Sequence, residues 1–595
     1  MTSFVRNTDG RALLATTWTP NGVPGPTDTF VTNGYRMVVE NGETFESKGP
    51  VGADAFLGSS ASVRGELFVE NGGTFKLSGE TRVGQWSELG GEQGCTVDLA
   101  GNDLLTTASG ALYIIFNFVG TATNRITFKS DGGGAFKRLS SGAPGEAHWT
   151  MKFIDFLDID DPRIGNCFWS GNQMVFENCL WDSCGLHYQG TFRNLANDWI
   201  LKDCDWRNSQ AIGDEIVRIG YEESGSGDGV WEVSGLTCEG TAGGAHVFRC
   251  QFPSQLIIDS VFDCALQTLS PGDTTFQNCY FGMRAAHSQA TNNVDIGGFV
   301  VVYDNCALFS DLSNTHMFNG VKFLVIGAVI VNDPISSSNR PDFFLVAKGS
   351  SVIATLRDSI IQDYDGGVAL NSLGIPDSEG TYLVENCTLR GPYTNYGALG
   401  RTENSNDITG DARFINNVVI NTVGGTDVRG LNIESTTLNQ VAFIRNNAWV
   451  GFDDPWHNCL HSTFTAGVDD EYGGLDYLDV DPGFVRPTVN YETWDTETGG
   501  GGTNQGAIDK LLLRNGASSG SPRTQLVAAK SGYTPADFIS HMRAGFTPTN
   551  PLFKGTGYTT GAPKDRGAVL VIVPASSDDW IIKPSFQPIL RSVIR

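Results

Sequence analysis

The sequence predicts an all-β chain wound into one long solenoid, and three observations carry that prediction. A six-residue pattern recurs through the middle of the chain: apolar, any residue, Asn or Asp, a small residue that is often Cys, any residue, apolar. The copies are spaced by one coil's worth of chain rather than one domain's. Between them lie short β-type runs and turn residues, with no amphipathic helical pattern, in a chain with 73 Gly among 595 residues.

The copies are Phe176–Trp181 around Asn178-Cys179, Leu201–Trp206 around Asp203-Cys204, Phe276–Phe281 around Asn278-Cys279, and Tyr303–Leu308 around Asn305-Cys306. Leu356–Ile361 around Asp358-Ser359, Val384–Leu389 around Asn386-Cys387, Phe414–Val419 around Asn416-Asn417, and Ile444–Trp449 around Asn446-Asn447 continue the series. Looser copies are Val325–Ile330, around Gly327-Ala328, and the stretch at Asp263-Cys264. From Cys279 the equivalent positions are 306, 328, 359, 387, 417 and 447, steps of 22 to 31 residues. Each unit reads as strand, sharp turn, strand. Asn tolerates the left-handed backbone that such a turn needs. Side chains alternate along a strand, so the Cys and the residue two further on share the inward face. Stacked coils place Asn on Asn and Cys on Cys, the first file hydrogen-bonding along the stack and the second filling a narrow core.

Composition narrows the classes of function. Lys and Arg number 40, Asp and Glu 66, for a formal charge of −26. Such a surface repels polyanions, so nucleic acid is not an expected partner. The aromatic content (35 Phe, 15 Tyr, 12 Trp) argues against disorder. The longest apolar run, Phe323–Val331, falls far short of the ~20 residues of a membrane span. Arg6, Asp9 and Arg11 interrupt any apolar leader core at the start of the sequence, so no export signal is expected. The twelve cysteines lack a C-x2-C pair, and the reading favours free, buried thiols over disulfides or a zinc site.

With these motifs in place, the chain resembles the right-handed parallel β-helix superfamily, the pectate-lyase-like solenoids. Asp481-Pro-Gly-Phe-Val485, Gly520-Ser-Pro522 and Asp565-Arg-Gly-Ala-Val569 are similar to the closing segments of bacterial and phage members. Trp18–Pro24, Glu66–Phe75 and Arg82–Gly84 are similar to a glycine-rich β domain that precedes some of these solenoids. The resemblance implies a single-stranded right-handed parallel β-helix over 111–480, a β-rich cap with first coils over 1–110, and closing coils with a cap over 481–595. Thr534-Pro-Ala-Asp537 reads as the start of a short helix ending at Gly545, expected to lie across an open end of the solenoid.

Candidate site residues are few. Asp182 and Asp205 are expected on the outer, solvent-facing surface of neighbouring coils. They form a candidate carboxylate pair for glycoside hydrolysis, with Arg207 beside them and Tyr188 and Trp199 as sugar-stacking surface. The plain reading is that they simply coat the solenoid. Asp158 and Asp160 read as one strand face that offers oxygen ligands to Ca²⁺, against a capped turn before Pro162. His457 and His461 flank Cys459 in what reads as a loop, and no cofactor is expected. The resemblance favours a virion surface protein of a bacteriophage: a tailspike, a tail-fibre-associated protein or a capsid decoration. That role implies other virion proteins as partners, host cell-surface polysaccharide as a ligand, and a homotrimer if it is a tailspike. A polysaccharide lyase or hydrolase and a bacterial adhesin are the alternatives.

Overall fold

The computed structural model describes residues 2–106 apart from 61, the strands and turns of successive coils between 113 and 478, and farther on residues 482, 536, 539, 540, 543, 544, 546–550 and 553. Two parallel sheets of 17 strands each build the solenoid. The first runs from Gly10–Arg11 to Ala442–Arg445 and the second from Thr44–Ser47 to Tyr477–Leu478. Each strand pairs in parallel with its counterpart one coil before and one coil after, as Val325 does between Tyr303 and Leu356. Shorter strands such as Tyr188–Phe192 and Val217–Tyr221 add a third side where the coils are wide. Ser87–Glu92 pairs with Tyr113–Val119, and that strand with Glu146–Lys152, so the sheets cross residue 110 without a break. The chain is therefore the all-β parallel solenoid that its repeat predicts. Among the described residues no helix is long and apolar enough to cross a membrane.

At the first described coil Ser3–Arg6 pairs with Trp18–Thr19 and Thr29–Val31. The fully buried Arg6 guanidinium donates to the carbonyls of Gly10, Arg11 and Arg36 and to Thr17 Oγ1, and lies 4.7 Å from the Trp18 ring centroid. Burial lowers its pKa to about 10, and its fork of donors suits a set of converging carbonyls.

The recurring turn is the device that winds the chain. Asn178, Asp203, Asn278, Asn305, Asp358, Asn386, Asn416 and Asn446 all adopt left-handed φ between 51° and 59°. This conformation costs an ordinary L-residue about 1–2 kcal/mol, and Asn and Asp least among non-glycine residues. Their backbone N–H groups donate to the next coil, as Asn305 does to Ile326 O at 2.8 Å. Side chains add rungs where they stack: Asn305 Nδ2 donates to Asn278 Oδ1 at 2.7 Å, and Asn386 Nδ2 to Asp358 Oδ1 at 3.0 Å. Two coils are registered differently from the sequence reading. Their turns fall at Gly235-Leu236 (φ 62°) and at Asp259-Ser260 (φ 50°), whereas Asp263 ends the second-sheet strand Val261–Asp263.

The residue after each turn points inward, and at most turns it carries a donor, Leu236 and Ala328 being apolar instead. Cys179, Cys204, Cys279, Cys306 and Cys387 are buried, and each thiol donates to a carbonyl of the preceding coil and to one two residues back. For Cys279 these are Ile257 O at 3.5 Å and Gln277 O at 3.4 Å. Where Cys is replaced the geometry is kept. Ser359 Oγ donates to Arg357 O at 2.8 Å, and Asn417 and Asn447 donate to Val384 O and Phe414 O at 2.9 Å. Seven cysteines whose side chains are described, 95, 179, 184, 204, 279, 306 and 387, are buried thiols outside any disulfide. Two residues beyond each of these turns runs an inward file with Trp181 and Trp206 stacked at 4.5 Å, Phe156 on Trp181 at 5.0 Å and Phe262 on Phe281 at 5.4 Å.

The described residues between 536 and 553 touch the flank of the coils. Phe553 packs on Val418 and Ala448, which are on the outer face of the second sheet. Thr549 and Asn550 donate their N–H groups to the carbonyl of Pro482. Arg543, helical like residues 536, 539, 540 and 544, donates to Gly327 O at mid-solenoid. The outer face suits this cover because its file of Val329, Ile360, Thr388, Val418 and Ala448 is apolar apart from one Thr.

Candidate functional site

The candidate carboxylates sit on the second sheet, where each outer position belongs to a file running along the solenoid. One file is a ladder of alternating charge: Glu46, Lys76, Asp98 and Lys129 occupy successive rungs, followed by Leu157, Asp182 and Arg207. Its first members pair along the stack, Lys76 Nζ with Glu46 Oε1 at 3.2 Å and Lys129 Nζ with Asp98 Oδ2 at 3.4 Å. The same register sets Asp182 beside Arg207. Asp182 is half-buried and accepts a hydrogen bond from Ser183 Oγ at 3.2 Å.

Asp205 occupies a parallel file two residues earlier, between Leu180 and Thr237. It is only 2 % exposed, which corrects the expectation that it faces solvent. Strand alternation places it outward, but this outer file is buried along its length, from Leu180 through Val261 and Tyr280 to Ala448. Asp182 and Asp205 are thus diagonal neighbours on adjacent coils, with Cα atoms roughly 7–8 Å apart for such a diagonal.

A further buried carboxylate, Asp155, lies in the same file as Asp205, with Leu180 between them. Arg125 Nε meets Asp155 Oδ1 at 2.7 Å, and the guanidinium also donates to Ile154 O at 3.0 Å and Asn178 O at 2.6 Å. It lies 5.8 Å from the ring of Phe153, the residue that takes the left-handed turn here in place of Asn. This pair is structural: Arg125 supplies the cross-coil hydrogen bonds that an Asn side chain supplies elsewhere. Sequence reading missed it because Arg125 and Asp155 stand 30 residues apart and outside the six-residue pattern.

The remaining predicted residues are not brought into one constellation. Tyr188 begins a third-side strand, Trp199 begins the first-sheet strand Trp199–Lys202, and Arg207 ends the second-sheet strand Asp205–Arg207; the side chains of all three lie outside the described residues. Asp158 lies in no strand. The strand ends at Leu157, and Asp158 is an exposed turn residue with φ 52°. Its N–H donates to Asp182 O at 3.1 Å, and Asp160 lies outside the described residues. Cys459 and His461 lie outside them as well, as does the side chain of His457. Among the described residues no three His, Cys, Asp or Glu side chains gather as a metal site. Burial pushes the Cys95 and Cys184 thiols up to about 12, so they are not nucleophiles at neutral pH. Comparison of the chain with family models, curated proteins and solved structures finds no match in any of the three.

Proposed function

We propose that this chain is a rigid structural element on the surface of a bacteriophage particle, a tailspike, tail-fibre-associated or capsid decoration protein whose flank meets host glycans. The observation that supports this reading is the unbroken run of both sheets from Gly10 to Leu478, with its outer charges compensated along the stack and its thiols buried as free groups. Among the described residues no disulfide ties the coils together, which suits assembly inside a reducing host cell. The partners in this reading are other virion proteins and host surface polysaccharide, with three copies per assembly in the tailspike form. The test is mass spectrometry of purified particles from the source that encodes the chain. The reading expects the protein at stoichiometric abundance, and its absence from infectious particles overturns it.

A second reading rests on the diagonal placement of Asp182 and Asp205, that of a polysaccharide depolymerase borne on the same rod. It expects oligosaccharide release from host capsule or lipopolysaccharide that is lost in both Asp182→Asn and Asp205→Ala. Binding without release leaves the structural reading alone standing.

A further inference from the structure

Along the turn ladder one rung is left out. Between Asn305 and Asp358 the turn residue is Gly327, with φ 66°. An Asn would suit this backbone as it does at six other coils described above. A Cβ built on Gly327 meets only one close atom, Arg543 NH1 at 2.8 Å; the next atoms, of Asn305, are at 3.8 Å. The space that Gly leaves is therefore filled by a guanidinium from 216 residues away, which donates to Gly327 O. Arg543 is buried, and the carboxylates of Asp358 and Asp304 act on it through space.

Burial along the ladder rises over the following coils. The turn residues Asn178, Asn278, Asn305 and Asp358 are half-buried, whereas Gly327, Asn386, Asn416 and Asn446 are buried. Arg543 sits at the first of these buried rungs and Phe553 at the coils of Val418 and Ala448. Three to four coils separate those points, roughly 15–20 Å at the spacing of neighbouring strands, a span that ten residues cover with ease.

We propose that Gly327 is a docking notch, built by omitting one Asn side chain from the turn ladder, and that it receives Arg543 so that the contacts of Arg543 and Phe553 strap these coils of the solenoid in a single register. The occupant is this segment because its guanidinium already lies in the notch and its Phe553 on the outer sheet face beyond. The strap has nothing to dock on until the coils bearing Asp304, Gly327 and Asp358 have formed, so it closes only over a completed stack.

The test is hydrogen exchange by mass spectrometry on the full chain. Gly327→Asn restores the ladder's own residue and removes the notch. It should leave the amides of Val352–Arg357 protected while those of 543–553 exchange roughly tenfold or more faster, the loss expected for a hydrogen bond to a buried charge. Arg543→Ala should do the same, and the double variant should add nothing to either. Unchanged exchange at 543–553 in Gly327→Asn overturns the proposal. If Gly327→Asn disturbs the coils themselves, Arg543→Ala decides: faster exchange confined to 543–553 supports the strap, and wild-type exchange there refutes it.

Discussion

Replacing Asn305 by Ala probes the turn that winds the chain. Asn305 holds φ at 51° and donates from Nδ2 to Asn278 Oδ1 at 2.7 Å. Alanine in this left-handed conformation costs about 1–2 kcal/mol. The lost side-chain hydrogen bond costs about 0.5–1.5 kcal/mol more. Asn305→Gly loses the same hydrogen bond without the steric cost, offset in part by the greater freedom of Gly in the unfolded chain. The expected order is wild type, then Gly, then Ala, with Ala about 1 kcal/mol below Gly. Global unfolding of a stacked solenoid is a sum over coils, so the assay is native-state hydrogen exchange of the amides in Val300–Asp304 and Ala307–Ser310. A difference of 1 kcal/mol there reads as about fivefold in rate. If Ala exchanges no faster than Gly, the left-handed turn is not what constrains this position.

Other consequences follow from the same geometry. Cys279→Ser should be tolerated, since Ser260 and Ser359 fill equivalent positions, whereas Cys279→Arg buries an uncompensated charge and should yield no soluble folded protein on expression. Trp206→Ala removes a ring stacked at 4.5 Å on Trp181 and should cost about 3–5 kcal/mol, read as a large drop in the midpoint of chemical denaturation. The thiols give a pH dependence: Cys95 and Cys184 titrate near 12 when folded, against 9.0 as the ordinary value. The unfolded chain therefore loses these protons first, and stability is intact below pH 9 and falls between pH 9 and 12 by about 1.4 kcal/mol per pH unit for each thiol. Thermal midpoints that stay level across that window in wild type, or that fall equally in a variant with both thiols changed to Ala, would contradict this.

The winding was legible in the sequence because its cause is local. A left-handed turn selects Asn or Asp, the next position selects a small donor, and repetition separates both from chance, as at Asn278-Cys279 and Asn386-Cys387. Where the same backbone is reached by other residues, the signal fades. Gly235-Leu236 and Asp259-Ser260 wind the chain as well, but Asp263-Cys264 is the more conspicuous pair in sequence and ends a strand instead. Alternation correctly put Asp205 on the outer side of its strand. It said nothing of the burial of that side, because alternation fixes which side a residue faces and not what lies over it. The flank position of Arg543 was illegible because its partner Gly327 lies 216 residues away. The Arg125–Asp155 pair stands in for an Asn that position 153 lacks, a substitution visible only once coils are stacked.

Cysteine cross-linking across two distant rungs tests the continuous in-register solenoid most directly. Asp98 faces Lys129 near the start, and Arg357 faces Glu385 near the end, where their side chains meet at 2.7 Å. Adjacent strands bring such positions within the Cα separation that a disulfide spans. Mild oxidation of Asp98→Cys/Lys129→Cys and of Arg357→Cys/Glu385→Cys should close an intramolecular disulfide in both, while Arg357→Cys/Arg445→Cys, three coils apart, should close none. Failure of either adjacent pair, or equal closure in the distant one, would contradict a single stack of coils running from one end to the other.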